Sequence, residues 1–412
     1  MMHIIVGGGL AAVRAVEALR DSGSTAPIVM VGAESALPYD RPPLSKELLR
    51  GETTLEDAVI HGEDYFRDRD VELVLGAAAK HLHAAARTIE LYDGRCIAFD
   101  KLLIATGATP RRLLVRGGEL DGVMTLRSGA DALRLKVALA RAGPVVVIGG
   151  GLIGLEVASV ARAAGKDVTI VEAGRQPLAR LLHGEHVAGA IADLHRSHGT
   201  VVRTSTTVGE LRGAGRVEEV VLSTGERIPA DLVLVAIGVT PATEWLVGSA
   251  IDLDDGVLTN ASLETNVPGI YAAGDVARAF QPDLRRHVRF EQYGSAHEQG
   301  VVAGRLMAGV GVTAVPTITP GAGSEQFGVR MQVVGDAAKA DRVLVRGSLE
   351  DRSFTAFFLV DGRVRGAFLM NRPRDLPVTR KLVARRAQID ERRITDETEP
   401  LVEGSYVEAG RR

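Results

Sequence analysis

One repeat restricts the fold of this chain more than any other feature. Ile4-Ile5-Val6-Gly7-Gly8-Gly9-Leu10-Ala11-Ala12 leads to a second apolar run at Ile28 to Val31 and an acid, Glu34. The plan returns as Val145-Val146-Val147-Ile148-Gly149-Gly150-Gly151-Leu152-Ile153-Gly154, followed by Val168 to Val171 and Glu172. A matching segment trails each copy. Asp100-Lys101-Leu102-Leu103-Ile104-Ala105-Thr106-Gly107-Ala108-Thr109-Pro110 and Asp231-Leu232-Val233-Leu234-Val235-Ala236-Ile237-Gly238-Val239-Thr240-Pro241 agree at six of eleven positions. The apolar runs are short, β-branched and continuous, as parallel strands covered on both faces must be. Between them Leu10, Val13, Val16 and Leu19, and again Leu152, Leu155, Ala158 and Val160, keep helical spacing. Two doubly wound α/β units follow. From about residue 316 the pattern becomes alternating, with strands expected at Val329 to Val333 and Phe354 to Val360, and Asp361-Gly362 turning into Val364 to Leu369. A third, α+β domain is expected there.

Composition excludes several classes. The 412 residues carry 49 basic and 52 acidic side chains, a balance that argues against bulk nucleic-acid binding. A single cysteine, Cys96, rules out a dithiol and a thiolate zinc cage and fits a reducing compartment. It reads as a buried structural thiol on a strand. His195 and His198 have near-ligand spacing without an evident third ligand, so no metal site is expected. The start of the chain lacks a signal-peptide pattern, and the longest apolar runs are of strand length, too short to cross a membrane. A cytoplasmic protein is the expectation.

The glycine turns have a chemical purpose. In such a turn the first glycine permits the bend, the second admits a pyrophosphate, and the third lets helix and strand pack closely, while the helix N-terminus faces the anion. Gly149, Gly151 and Gly154 complete the pattern, and Gly7, Gly9 and Ala12 supply it with a small residue in the third place. Glu34 and Glu172 stand where a ribose hydroxyl is accepted. The chain therefore reads as two Rossmann-like dinucleotide-binding domains, and the Glu172 carboxylate, which repels a 2′-phosphate, favours NADH over NADPH. Two nucleotide sites with no other redox centre imply that one cofactor takes a hydride from the other, which a flavin does. Gly274-Asp275 ends a further strand and suits a ribityl hydroxyl, the competing reading of Asp275 being a helix N-cap.

With these motifs the chain resembles the FAD-dependent pyridine-nucleotide oxidoreductases of the glutathione-reductase fold. It is most similar to the NADH-dependent ferredoxin reductases of bacterial oxygenase and cytochrome P-450 systems. Tyr39-Asp40-Arg41-Pro42-Pro43-Leu44-Ser45-Lys46 is the most specific element, supported by Ala105-Thr106-Gly107-Ala108-Thr109-Pro110-Arg111 and Asn371-Arg372-Pro373-Arg374. The resemblance implies a discontinuous FAD-binding domain at 1–112 and 242–315, an inserted NAD-binding domain at 113–241, and a C-terminal domain at 316–412. It implies FAD contacts from Gly7, Gly9, Ala12, Glu34, Arg41, Lys46, Ala105, Thr106, Gly107, Arg111, Gly274, Asp275, Glu291, Gln292 and Tyr293. NADH contacts would come from Gly149, Gly151, Leu152, Ile153, Gly154, Glu156, Glu172 and Gly238. Lys46 is implied near flavin N5, paired with Glu156; the residue types alone also fit a solvated lysine and a first-turn helix acid.

No cysteine follows Pro42-Pro43, so electrons are expected to leave the flavin directly. The implied partner is a small acidic 2Fe–2S ferredoxin, met by Arg285, Arg286, His287 and Arg289 or by Arg372, Arg374, Arg380, Lys381, Arg385 and Arg386, with the chain a monomer or weak homodimer. Relatives commonly carry tryptophans where this chain has Tyr293 and Gly323, which gives room to a second reading, direct reduction of a small organic acceptor. An NADH-sensing protein resembling apoptosis-inducing factors is a third. If Glu172 selects the coenzyme, Glu172→Ala lowers kcat/KM for NADH by about ten- to a hundredfold, the loss of a charge-assisted hydrogen bond. It also narrows the preference over NADPH, and steady-state kinetics with both coenzymes checks this.

Overall fold

In the computed structural model, residues 2–179, 181–182, 185–311, 321–337 and 340–402 are described, without the side chains of Glu185, His186 and Asp283. The expected boundary at 315/316 lies outside them. The chain divides into two compact units: Met1–Arg41, Thr54–Thr109 and Val239–Ile318 form one, and Pro42–Thr53, Pro110–Gly238 and Thr319–Arg412 the other.

The first unit is organised by a parallel five-stranded sheet in the order Ile270–Ala272, Lys101–Ile104, His3–Val6, Ile28–Gly32, Val71–Leu75. His3 is in register with Ile28 on one side and Lys101 on the other. The central strands are buried along their whole length, which is why their sequences do not alternate. Helices Leu10–Asp21 and Tyr293–Met307 pack together on this sheet. Their approach is backbone to backbone: a Cβ at Gly300 would lie 2.4 Å from the Ala11 carbonyl oxygen, and one at Gly304 2.4 Å from that of Ala15.

Two three-stranded sheets accompany the parallel sheet in this unit. In one, Ala79–His83, Thr88–Leu91 and Cys96–Ala98 run antiparallel, and Cys96 is exposed, contrary to its expected burial. Cys96–Ala98 is an edge strand whose period of two turns Ile97 toward the core and Cys96 and Ala98 outward. In the other, Val257–Thr259, Ala277–Gln281 and Arg286–Arg289 associate. The segment after Asp275 is thus a strand, and the helix N-cap reading of Asp275 is excluded.

The second unit repeats the plan strand for strand. Its parallel sheet runs Val201–Arg203, Val168–Val171, Val145–Ile148, Leu232–Val235, Val123–Met124. In both units the strand before the glycine turn lies between the strand that follows its helix and the strand from the trailing matched segment. Residues beyond 320 form an antiparallel sheet in the order Gly321–Gln326, Val329–Gly335, Arg363–Met370, Ser353–Val360, Arg342–Ser348. Asp361 and Gly362 both have positive φ, +51° and +70°, as a two-residue hairpin turn requires. The strand Ser353–Val360 is not half-exposed as alternation would have it. Phe354 through Leu359 are all buried, with Phe357 and Leu359 packed in one cluster with Leu382 and Val383 of the helix Leu376–Ala384. Among the described residues no helix is long and apolar enough to cross a membrane.

Gly300→Ala inserts a methyl group where no space exists. We expect a loss of about 1–3 kcal/mol, read as a lower Tm, and weaker retention of whatever ligand the start of the Leu10–Asp21 helix holds.

Candidate functional site

The first glycine turn is built by close backbone approach. Gly7 has φ +138°, and a Cβ there would stand 2.1 Å from the Ala105 carbonyl oxygen. Gly9 caps the helix Leu10–Asp21 without a side-chain hydrogen bond, and nothing lies within 4 Å of a Cβ at that position. The helix therefore opens onto free space with unsatisfied N–H groups, the geometry of an anion cradle. Ala12 is fully buried, as the third place demands. Gly274, at φ +80°, packs near Ala11 and donates its N–H to Gln299 Oε1 at 2.8 Å, so Asp275 is carried beside the same helix start.

Side chains converge on this region. Glu34 accepts from Tyr39 Oη and from Arg41 Nη2, the latter at 3.1 Å. Thr106 Oγ1 donates to the Ala242 carbonyl at 2.8 Å, and Gly107 bends at φ +69°. Burial pushes the Tyr293 phenol up, helped by Asp40 and opposed by its hydrogen bond with Arg14. Glu291 is drawn to Arg289 at 2.7 Å. Asp40 Oδ1, Gln292 Oε1 and Ser295 Oγ are buried without a hydrogen-bond partner in the protein. Buried oxygens left so are what a polar ligand satisfies, and with the open cradle they fit FAD.

The second turn repeats these features. Gly149 has φ +108° with its would-be Cβ 2.3 Å from the Ala236 carbonyl oxygen, and at Gly154 the corresponding contact, to Gly149 O, is 2.2 Å. Gly151 faces open space at the head of the helix Leu152–Ala163, so the N–H groups of Leu152 and Ile153 begin that helix uncapped by any side chain. Glu172 is engaged more than its sequence position suggests: Oε2 accepts from Gly150 N and Oε1 from Gly174 N, each at 2.6 Å. The carboxylate thus ties its own loop to the glycine turn and is oriented before a ribose arrives. Gly238, at φ +101°, accepts from Arg111 N at 3.0 Å. These residues fit a nicotinamide dinucleotide.

Lys46 and Glu156 meet, 110 residues apart in sequence (156 − 46). Lys46 Nζ lies 3.6 Å from Glu156 Oε1 and donates to the Pro42 carbonyl at 2.6 Å. Their side chains are only 12% and 6% exposed, so neither is the solvated surface charge that the residue types also allowed. Two hydroxyls, which sequence reasoning did not single out for this pair, complete the surroundings: Ser45 donates to Glu156 Oε2, and Ser324 to Oε1 at 2.7 Å. Burial pushes the Glu156 carboxyl up, while Lys46 and then the two serines pull it back.

The histidine pair serves packing and hydrogen bonding. His195 is fully buried, its Nε2 2.9 Å from Gln326 Oε1, and His198 stacks on Phe327. Of the basic residues, Arg285, Arg286 and His287 are exposed, whereas Arg289 is only 8% exposed and paired with Asp255 and Glu291, which removes it from the expected cationic rim. Arg372 is likewise engaged by Asp375 and Glu397. A Cβ at Gly323 would meet nothing nearer than the Met331 carbonyl oxygen at 4.0 Å, and Tyr293 is 46% exposed.

Comparison with known proteins agrees with this geometry. The family profile described as pyridine nucleotide-disulphide oxidoreductase matches residues 1–300, and the one described as reductase C-terminal matches 323–404. The chain is 38% identical over 405 residues to a ferredoxin–NAD(P)(+) reductase of a Sphingomonas species, covering 97% of this chain and 96% of that protein. It is 38% identical over 402 residues to the ferredoxin–NAD(+) reductase component of the p-cumate 2,3-dioxygenase system of Pseudomonas putida, covering 97% of each. Among solved structures, that of a covalent putidaredoxin reductase–putidaredoxin complex matches with a TM-score of 0.92 at 32% identity, covering 97% of both chains.

Burial lowers the His195 pKa from 6.5 to about 4, assisted by His198 and opposed by Gln326. Above 6.5 the ring is neutral in folded and unfolded chains alike; between 6.5 and about 4 only the unfolded chain takes the proton, so stability falls as pH falls through that window. The expected contribution is on the order of 3 kcal/mol. His195→Gln should lose correspondingly less stability than the parent between about pH 7 and pH 4.5, measured by denaturant unfolding at each pH.

Proposed function

The chain belongs to the pyridine nucleotide-disulphide oxidoreductase family, and from that premise we propose that it is an NADH-dependent reductase passing electrons through FAD to a 2Fe–2S ferredoxin of an oxygenase or cytochrome P-450 system. The observation that carries this reading is the pair of open glycine cradles in one chain together with the buried Lys46–Glu156 pair. Bound FAD accepts a hydride from NADH and releases its electrons one at a time.

The chain's residues have separate tasks in this reading. Gly7, Gly9, Ala12 and the Leu10–Asp21 helix start receive the FAD diphosphate; Glu34, Arg41, Gly274 and Asp275 hold its sugar and ribityl hydroxyls. Ala105, Thr106, Gly107, Arg111, Glu291, Gln292 and Tyr293 shape the rest of the cofactor site. Gly149, Gly151, Leu152, Ile153 and Gly154 receive the NADH diphosphate, Glu172 its ribose hydroxyl, and Gly238 lines the same site. Lys46 presents a cation at the flavin's reacting edge, paired with Glu156. The FAD-binding domain is read as 1–112 with 242–315, the NAD-binding domain as 113–241, and the C-terminal domain as 316–412. Action in the cytoplasm, where NADH is available, completes the proposal.

Electron exit needs no thiol. Ser45 stands where a redox cysteine would serve and is engaged with Glu156, and Cys96 sits on a strand of a separate small sheet. The exposed Arg285, Arg286 and His287 suit an acidic protein partner through electrostatic steering. The test is NADH-driven cytochrome c reduction by the FAD-loaded enzyme with and without a 2Fe–2S ferredoxin. A large ferredoxin-dependent stimulation is expected, and the Arg285→Ala/Arg286→Ala double variant should raise the KM for ferredoxin by about tenfold at low salt, a difference that vanishes at high salt. Rapid flavin reduction by NADH with no response to any ferredoxin would overturn the proposal in favour of a small organic acceptor, for which Gly323 leaves space.

A further inference from the structure

We propose that Ser324 and Gln326 are positioning residues for the Glu156–Lys46 pair, acting from the hairpin formed by Gly321–Gln326 and Val329–Gly335 and locked in place by His195. The observation is a continuous buried chain of hydrogen bonds. Gln326 Nε2 donates to Ser324 Oγ at 3.0 Å, and Ser324 Oγ donates to Glu156 Oε1 at 2.7 Å. With its amide so oriented, Gln326 presents Oε1 to His195 Nε2–H at 2.9 Å. Ser324, Gln326 and His195 are 8%, 1% and 0% exposed, so water does not compete for these bonds.

Every donor in the chain points the same way. Running from the imidazole through the amide and the hydroxyl, the N–H and O–H groups are aligned toward the carboxylate, and such a series polarises each member in favour of negative charge at its end. A buried carboxylate without those donors would bind a proton. The groups facing Glu156 are Lys46 and Ser324 at Oε1 and Ser45 at Oε2; His195 faces Gln326 and lies near His198. Burial holds the His195 pKa at about 4, which keeps the ring neutral and able to leave the Gln326 oxygen its single donor near neutral pH.

The hairpin is held in register at a second point. Phe327 N donates to Ser159 Oγ at 2.9 Å, so two residues three apart on the hairpin, Ser324 and Phe327, meet two residues three apart on the helix Leu152–Ala163, Glu156 and Ser159. Phe327 also takes the left-handed conformation at φ +52°, an unfavourable one for a bulky residue, and Gly328 follows at +74°. Its ring is stacked on His198 at 4.0 Å and edge-on to His195 at 5.1 Å, which offsets that strain. A turn constrained in this way places the Ser324 hydroxyl by design of the local packing rather than by chance contact.

A role for these residues in hydride transfer rests on Lys46 and Glu156 standing beside the flavin; their effect on the carboxylate does not. The experiment is an infrared pH titration of the FAD-loaded protein, with Glu156→Gln identifying the Glu156 carboxyl band. In Ser324→Ala the midpoint of that band should rise by about one to two pH units, the worth of one hydrogen bond to a charged group, and Ser324→Thr, which restores a hydroxyl, should bring it back. Gln326→Leu should shift it in the same direction. In single-turnover reduction by NADH, Ser324→Ala should slow flavin reduction near the raised midpoint without weakening NADH binding. A shifted midpoint with unchanged flavin reduction supports the positioning role and overturns the placement of the pair beside the flavin. A folded, FAD-loaded Ser324→Ala with the parent midpoint overturns the proposal; if that variant does not load FAD, an unshifted Gln326→Leu overturns it equally.

Discussion

Each half of this protein depends on one close approach of backbone to backbone. The first glycine of each turn presses against an alanine carbonyl, Gly7 on Ala105 and Gly149 on Ala236, so tightly that any side chain at the glycine would fall 2.1 or 2.3 Å from the oxygen. From this contact the rest follows. The strand ends where it must, the helix starts at once with its N–H groups uncovered, and the segment carrying the alanine is fixed as the neighbouring parallel strand. The helix terminus is thereby held open at Gly9 and Gly151, a geometry that suits an anion.

The same contact explains why two trailing segments are so alike. Ala105 and Ala236 occupy the same place in them and serve the same glycine contact. Asp100 and Asp231 each accept from a backbone N–H just before the glycine-turn strand, Met2 in one case and Gly143 in the other. Leu103 and Leu234 are fully buried, Gly107 and Gly238 both bend with positive φ, and Thr109 and Thr240 meet hydroxyl to hydroxyl at 3.2 Å. Identity at these positions is local physical necessity repeated twice, which is why it could be read without a structure.

What could not be read lies where distant segments converge. Ser45, Glu156 and Ser324 come from three parts of the chain, and no periodicity relates them. Arg289 looked like one member of a basic run because its partners, Asp255 and Glu291, are revealed only by the strand pairing that turns it inward. Cys96 departs from its expected burial for the opposite reason: its strand is a half-exposed edge, and the choice of which face turns out depends on Ile97 finding a core. The Phe354 to Leu359 strand carries no alternation because it is covered on both faces, a fact of the layer above it rather than of its own residues. Short-range patterns thus disclosed turns, strands and cradles, whereas burial and pairing of charge required the fold.

Among the positions at which the two glycine-turn helices differ, one gives the two halves opposite charge. Counted from the glycine turn, Arg14 in the first copy corresponds to Glu156 in the second. Arg14 is held by both oxygens of Glu17, at 2.8 and 2.7 Å, and linked to Tyr293, with His61 sharing one of those oxygens, so its helix carries a cation close behind an open anion cradle. Glu156 is buried instead and must be neutralised, which recruits Lys46 and Ser45 from one segment and Ser324 from another. A partly exposed cation is satisfied by one acid, while a buried carboxylate demands donors around it. The two glycine turns, alike in backbone, thus lead into helices whose fifth residue demands opposite partners, an acid and a phenol around Arg14 and a cation with hydroxyls around Glu156.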